Sequence, residues 1–177
     1  MKRKSEGLML GQLLTRVGRK IGATVLIEPH WRIAGQIIFK SGRKRYFRYN
    51  TLDLNPVGAS DIAKDKGYAT YFIKKLRYPT VQGDTFFSHE WCDAIGSKKN
   101  IDAAYGYARR LGLPVIVKPN SGSQGADVRL VHTKSEFYRA MRAIFRSDRV
   151  ALVQRKVSGR DYRVVVLDSK IISAYER

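Results

Sequence analysis

Val115-Ile116-Val117-Lys118-Pro119, followed at once by Asn120-Ser121-Gly122-Ser123-Gln124-Gly125-Ala126, is the stretch on which the fold turns. Three β-branched apolar residues in a row read as a short buried strand, and Pro119 ends its ladder because proline has no N–H to donate. Lys118 at the strand end is a charge that needs a partner once its neighbours are buried. The loop of small residues behind it lets backbone N–H groups approach an anion closely. A strand-end lysine and a small-residue loop together describe a phosphate-binding element, although a loop of this composition also joins strands that bind nothing. The two common phosphate signatures, G-x-x-x-x-G-K-[ST] and G-x-G-x-x-G, do not occur.

Downstream, Val128–Val131 reads as a second strand. Thr133 and Glu136 have capping-box spacing for a helix with Phe137, Ala140, Met141, Ile144 and Phe145 inward. Strand Val150–Gln154, a Ser158-Gly159 break, strand Arg163–Leu167, an Asp168-Ser169 turn and strand Ile171–Tyr175 follow. Upstream, Asn100 caps Ile101–Leu111, with Ile101, Ala104, Ala108 and Leu111 inward and Gly112 as the stop. A further helix opens near Asp65, with Ala69, Phe72, Ile73 and Leu76 on one face. Hairpins require antiparallel pairing, which excludes a doubly wound parallel sheet and leaves the α+β class.

The first sixty residues carry twelve Lys/Arg against three Asp/Glu, and the whole chain of 177 carries 34 against 15, a net charge of +19. Charge of this size favours polyanionic or acidic partners: nucleic acid, nucleotide phosphates or an acidic substrate. Leu10, Leu13, Leu14, Val17 and Ile21 follow helical spacing and are expected to pack on a neighbouring sheet. Thr24–Ile27 and the pair Gln36–Lys40 and Lys44–Arg48 around Ser41-Gly42 read as strands, and residues 50–60 as a connector. One cysteine, Cys92, excludes an internal disulfide, and three scattered histidines (His30, His89 and His132) offer no metal set. With no apolar run near the roughly 20 residues that span a bilayer, and no secretory cleavage site, the cytoplasm is the expected setting and no membrane partner is expected.

Asp65-Lys66, Leu113–Pro119 with its loop, Leu152–Asp161, Tyr162-Arg163 and Ser173–Arg177 stand in an order that closely resembles the ATP-grasp superfamily. The similarity is to its cyanophycin-synthetase-like, glutamate-ligase-like and D-alanine–D-alanine-ligase-like members, and it covers roughly residues 60–177. It implies an ATP-grasp fold, ATP and magnesium as cofactors, and carboxylate–amine ligation through an acyl phosphate. By the same resemblance, Lys118 and Lys66 contact the nucleotide phosphates, and Ser121, Gly122, Ser123, Gln124 and Gly125 form the loop over the triphosphate. Gln154, Arg155 and Val157 meet the adenine, with Gln154 standing where the family often has Glu. Asp161 meets the ribose, and Arg163 a phosphate or the substrate carboxylate. Each position also has a bland reading: Lys66 as a first-turn lysine, Val157 as core, Asp161 and Arg163 as an ion pair.

The resemblance implies magnesium ligands beyond Arg177, so none is assigned within the chain. It also makes the fold appear incomplete at the C-terminus, with little turnover and a tendency to self-associate through the exposed strand Ile171–Tyr175. The expected layout is a small basic α/β segment over 1–59, a linker and first ATP-grasp part over 60–112, and the nucleotide-binding subdomain over 113–177. Basicity points to an acidic amino acid or peptide as substrate. A nucleic-acid-binding module without catalysis, using Tyr46, Phe47 and Tyr49 among Lys44, Arg45 and Arg48, is the alternative.

Overall fold

A computed structural model describes residues 10–122 and 125–177. The chain divides into two units, Met1–Ser60 and Asp61–Arg177.

In the first unit, α1 (Leu10–Ile21) precedes an antiparallel meander of β1 (Thr24–Ile27), β2 (Ala34–Ile38), β3 (Lys44–Arg48) and β4 (Thr51–Leu52). β2 and β3 form the expected hairpin, with Ile38 opposite Lys44 and Ala34 opposite Arg48. The α1 stripe differs from expectation. Leu13, Val17 and Ile21 are exposed, and the buried positions are Gly11 and Gly18. A Cβ on Gly11 would lie 3.0 Å from Ile27 Cδ1, and one on Gly18 3.0 Å from Val25 Cγ2. The helix therefore sits on β1 through its smallest residues, a close approach that outweighs the leucine periodicity. Phe47 points inward and is buried, whereas its strand neighbour Tyr46 is exposed. The segment read as a connector holds β4 and the start of α2 (Val57–Lys64).

The second unit opens with α3 (Lys66–Lys75), whose N-cap Asp65 accepts from the Tyr68 N–H. Next come β5 (Gly83–Phe87), α4 (His89–Ile95), α5 (Ile101–Leu111), β6 (Val115–Pro119), β7 (Arg129–Val131), α6 (Lys134–Ile144) and β8 (Val150–Arg155). The four strands form one antiparallel sheet in the order β5-β8-β6-β7. Residues directly opposite in an antiparallel ladder share a face, and successive residues alternate. One face therefore carries Val115, Val117, Val131, Ala151, Val153 and Phe86. These pack with Ala104, Ala108 and Leu111 of α5 and Phe137, Ala140, Met141 and Ile144 of α6 into the core. Both helices begin as their sequences dictate. Asn100 accepts from the N–H groups of Asp102 and Ala103, and Thr133 and Glu136 complete a reciprocal capping box. β9 (Tyr162–Leu167) and β10 (Lys170–Glu176) pair only with each other among the described residues, and every residue of this hairpin is exposed. α3 likewise has no buried residue, so its expected apolar face (Phe72, Ile73, Leu76) stands exposed. No helix among the described residues is long and apolar enough to cross a membrane.

Candidate functional site

The sheet face turned away from α5 and α6 is where the chemistry-bearing residues collect. Lys118 lies opposite Leu152, Ile116 opposite Gln154, and across β8 Thr85 faces Leu152 and Gly83 faces Gln154. Lys118 and Gln154 therefore share this face, offset by one cross-strand step, with the side chains of Ile116 and Leu152 beside them. Gly83 is part of the arrangement. A Cβ there would fall on the Gln154 side chain, so only glycine leaves that side chain its place.

Lys118 is half-buried, and no carboxylate holds it among the described residues. Burial first, and the neighbouring Lys66 ammonium second, push its pKa below the ordinary lysine range. A cation left under-compensated in this way is poised to take an anion.

Asn120, the first residue after β6, ties this strand end to the start of α3. Its side chain is buried, accepts from the Gly67 N–H at 2.9 Å and donates to Asp65 Oδ2 at 2.7 Å. Its backbone N–H donates to the Val150 carbonyl at 2.9 Å. Lys66, the first residue of α3, donates from Nζ to the carbonyls of Asn120 (2.9 Å), Ser121 (2.8 Å) and Gly122 (3.0 Å). Its pKa is lowered by burial, with Asp148 and Asp65 pulling the other way. Asp148 in turn accepts from the Ser121 N–H (2.9 Å) and Oγ (2.6 Å). Gly122 and Gly125 both take positive φ, 81° and 75°, the left-handed region that a Cβ disfavours.

The structure thus brings Lys66, Lys118, Ser121, Gly122 and Gln154 into one region of the second unit. Ser123 and Gln124 lie outside the described residues. Arg155 is exposed at the end of β8, where its N–H donates to the Gln82 carbonyl at 2.9 Å. Val157 is 65% exposed, so it is not a core residue. Asp161 and Arg163 belong to the β9–β10 hairpin. They do not pair with each other: the Asp161 carboxylate meets Arg177 at 3.4 Å, while Arg163 sits opposite Tyr175. Asn120, Asp148 and Gly83 were missed by sequence reasoning. Only Asn120 carried a signal, as the polar residue directly after the strand-end lysine and proline. No group of three or more His, Cys, Asp and Glu gathers among the described residues to hold a metal, so the chain's own side chains do not fit a magnesium site there.

Residues 73–177 match the family model described as D-ala D-ala ligase C-terminus. The chain belongs to this family. A D-alanine–D-alanine ligase of Geotalea uraniireducens is 39% identical over 64 residues, which is 36% of this chain and 21% of the relative. D-alanine–D-alanine ligase A of Bacillus cereus is 28% identical over 112 residues, 63% of this chain and 34% of the relative. Among solved structures, D-alanine–D-alanine ligase of Bacillus anthracis complexed with ATP superposes with a TM-score of 0.53 at 21% identity, over 67% of this chain and 35% of that one. A bifunctional glutathione synthetase of Pasteurella multocida gives 0.52 at 18% identity, over 95% of this chain and 22% of that one. These likenesses establish the ATP-grasp fold expected from the sequence. The chain spans about a third or less of the relatives it matches. Membership of this family does not favour the non-catalytic nucleic-acid module.

Proposed function

We propose that this chain supplies the ATP-binding part of an ATP-dependent carboxylate–amine ligase. The observation that carries the reading is Lys118, a half-buried cation with no carboxylate holding it among the described residues, on the same sheet face as Gln154. In this reading the Lys118 ammonium takes a phosphate oxygen as a point charge, and the amide of Gln154 meets the adenine edge. Ser121, Gly122 and Gly125 line the phosphates, and Arg155 and Val157 flank the base. Asp161 reaches the ribose by exchanging its Arg177 partner, and Arg163 meets a phosphate or the substrate carboxylate.

The reaction is in-line attack by a carboxylate oxygen on the terminal phosphorus, which forms an O–P bond and releases ADP. An amine nitrogen then attacks the acyl carbon, inorganic phosphate leaves, and the nitrogen gives up a proton. Magnesium in the whole enzyme neutralises charge on the phosphates, and no step assigned to these residues runs through it. The excess of basic residues supports an acidic amino acid or peptide as substrate and a cytoplasmic setting.

The test is ADP release by the full native gene product, with ATP and magnesium, against a panel of acidic and neutral amino acids and dipeptides. Amine-dependent ADP release, strongest with an acidic member, is the expected result. ATP binding without amine-dependent turnover for any member would refute ligation.

A further inference from the structure

A lysine ammonium has three protons to donate, and Lys66 directs its nitrogen at three successive carbonyls, those of Asn120, Ser121 and Gly122, all within 3.0 Å. We propose that Lys66 is a positioning residue that fixes the backbone of residues 120–122 with its whole donor set, leaving Lys118 as the one of the two lysines that takes a phosphate oxygen. The inference rests on the reading of this region as a nucleotide site, and it divides between two lysines the phosphate contact that the sequence assigned to both.

Three carbonyls in a row rarely converge on one point, because successive peptide dipoles aimed together repel. Here the positive φ of Gly122 helps to turn the chain, and a cation at the focus compensates the gathered negative ends. The segment is also held from its other side, where Asp148 accepts from both the N–H and the hydroxyl of Ser121. Within a planar peptide unit the C=O and N–H point in opposite directions. Turning the Ser121 carbonyl onto Lys66 therefore turns the Gly122 N–H away from it, and that N–H has no backbone acceptor among the described residues. Lys66 in this way presents a backbone donor to an anion without touching the anion itself. Burial lowers the pKa of both lysines, but only Lys66 has nearby carboxylates, Asp148 and Asp65, drawing it back.

Charge and geometry separate at this position. Arginine keeps the positive charge but presents a planar fork, which cannot place three donors on three converging carbonyls. The experiment compares the chain with Lys66→Met, Lys66→Arg and Lys118→Met, in two measurements. The first is residue-resolved amide exchange without nucleotide. Both Lys66 variants should speed exchange at Ser121 and Gly67 about tenfold or more while the core amide of Val153 stays within about twofold, and Lys118→Met should leave all three unchanged. The second is titration with ATP and with adenosine. Lys66→Arg should weaken ATP although the charge is kept, and Lys118→Met should weaken ATP alone.

Unchanged exchange at Ser121 in Lys66→Met would overturn the inference. So would Lys66→Arg with full ATP affinity, because charge alone would then suffice. A parallel rise at Val153 in both Lys66 variants would make Lys66 a general stability residue and equally overturn it. Failure of the unaltered chain to bind ATP would refute the nucleotide reading and with it the role given to Lys118, while the exchange measurement would still decide whether Lys66 holds the loop.

Discussion

Replacing Lys118 by methionine removes the ammonium and keeps a chain of similar length along the same sheet face. If the ammonium meets a phosphate, the loss is that of one charge-assisted hydrogen bond, about 1.5–3 kcal/mol net. The raw Coulomb energy of two unit charges 4 Å apart at an effective dielectric constant of 20 is about 4 kcal/mol, so the net figure already allows for the hydration that the phosphate gives up. At about 1.4 kcal/mol per factor of ten, ATP affinity should fall roughly 10- to 150-fold. Adenosine has no phosphate to lose and should change less than about threefold by the same reasoning. Calorimetric titration of both ligands on both proteins gives the comparison.

The free protein should respond in the opposite sense. Lys118 has its pKa lowered by burial and by Lys66, so the folded state binds its proton less well than the unfolded chain does. Between that lowered value and the unperturbed lysine value of about 10.4, the unfolded state holds more protons and stability rises with pH. Lys118→Met should lack this alkaline gain and unfold at an equal or higher urea concentration than the original at neutral pH. Tyr107 and Tyr138, whose pKa values are raised, act the other way in both proteins and cancel in the difference. Equal weakening of ATP and adenosine, or a methionine variant clearly less stable at neutral pH, would show that Lys118 is structural and would refute the phosphate assignment.

Two further outcomes test the joint between α3 and β6. Asn120→Ala leaves the Gly67 N–H and a bonded oxygen of Asp65 without their partner inside a buried site, and should cost about 2–4 kcal/mol in urea unfolding. A loss below about 0.5 kcal/mol, the scale of an ordinary surface substitution, would mean that the joint is not structural. Gly67→Ala places a Cβ 2.8 Å from Thr85 Cγ2, and should destabilise by about 1–3 kcal/mol. Adding Thr85→Ser removes the opposing methyl and should return part of that loss in a double-mutant cycle. Strict additivity would show that the two residues do not meet.

How much of this was legible in the sequence depends on how local the cause is. α5 and α6 were readable to within a residue or two because Asn100, Thr133 and Glu136 cap them and their apolar positions keep a 3.6-residue period. β6 was readable from its β-branched run and Pro119. β5 and α4 were not assigned. Gly83–Phe87 has no alternating pattern, and α4, at seven residues, is too short for a period to show. The α1 stripe misled because close packing through Gly11 and Gly18, rather than leucine burial, sets the helix on its sheet. Lys118 announced itself as a charge after three buried positions. The acceptors of Lys66 could not be read, because they are backbone carbonyls 54 to 56 positions away, and periodicity reports nothing about contacts at that range. The ribose and substrate roles of Asp161 and Arg163 rest on resemblance alone, since their hairpin is exposed throughout.

The Asn120 side chain joins points 53 and 55 residues apart, and this span bears on the lifetime of the folded state. A contact at such range can form only after the chain between has been drawn together, and the entropy of closing that loop is lost before the two hydrogen bonds return anything. Local elements such as the capped helices α5 and α6 have no comparable delay. The Asn120 joint should therefore be absent from the folding transition state and present only in the finished structure, so that it acts as a brake on opening. In a chevron analysis, Asn120→Ala should steepen escape from the native state, with nearly the whole effect on the unfolding rate and little on the folding rate. An equal effect on the folding rate would place this joint in the nucleus instead.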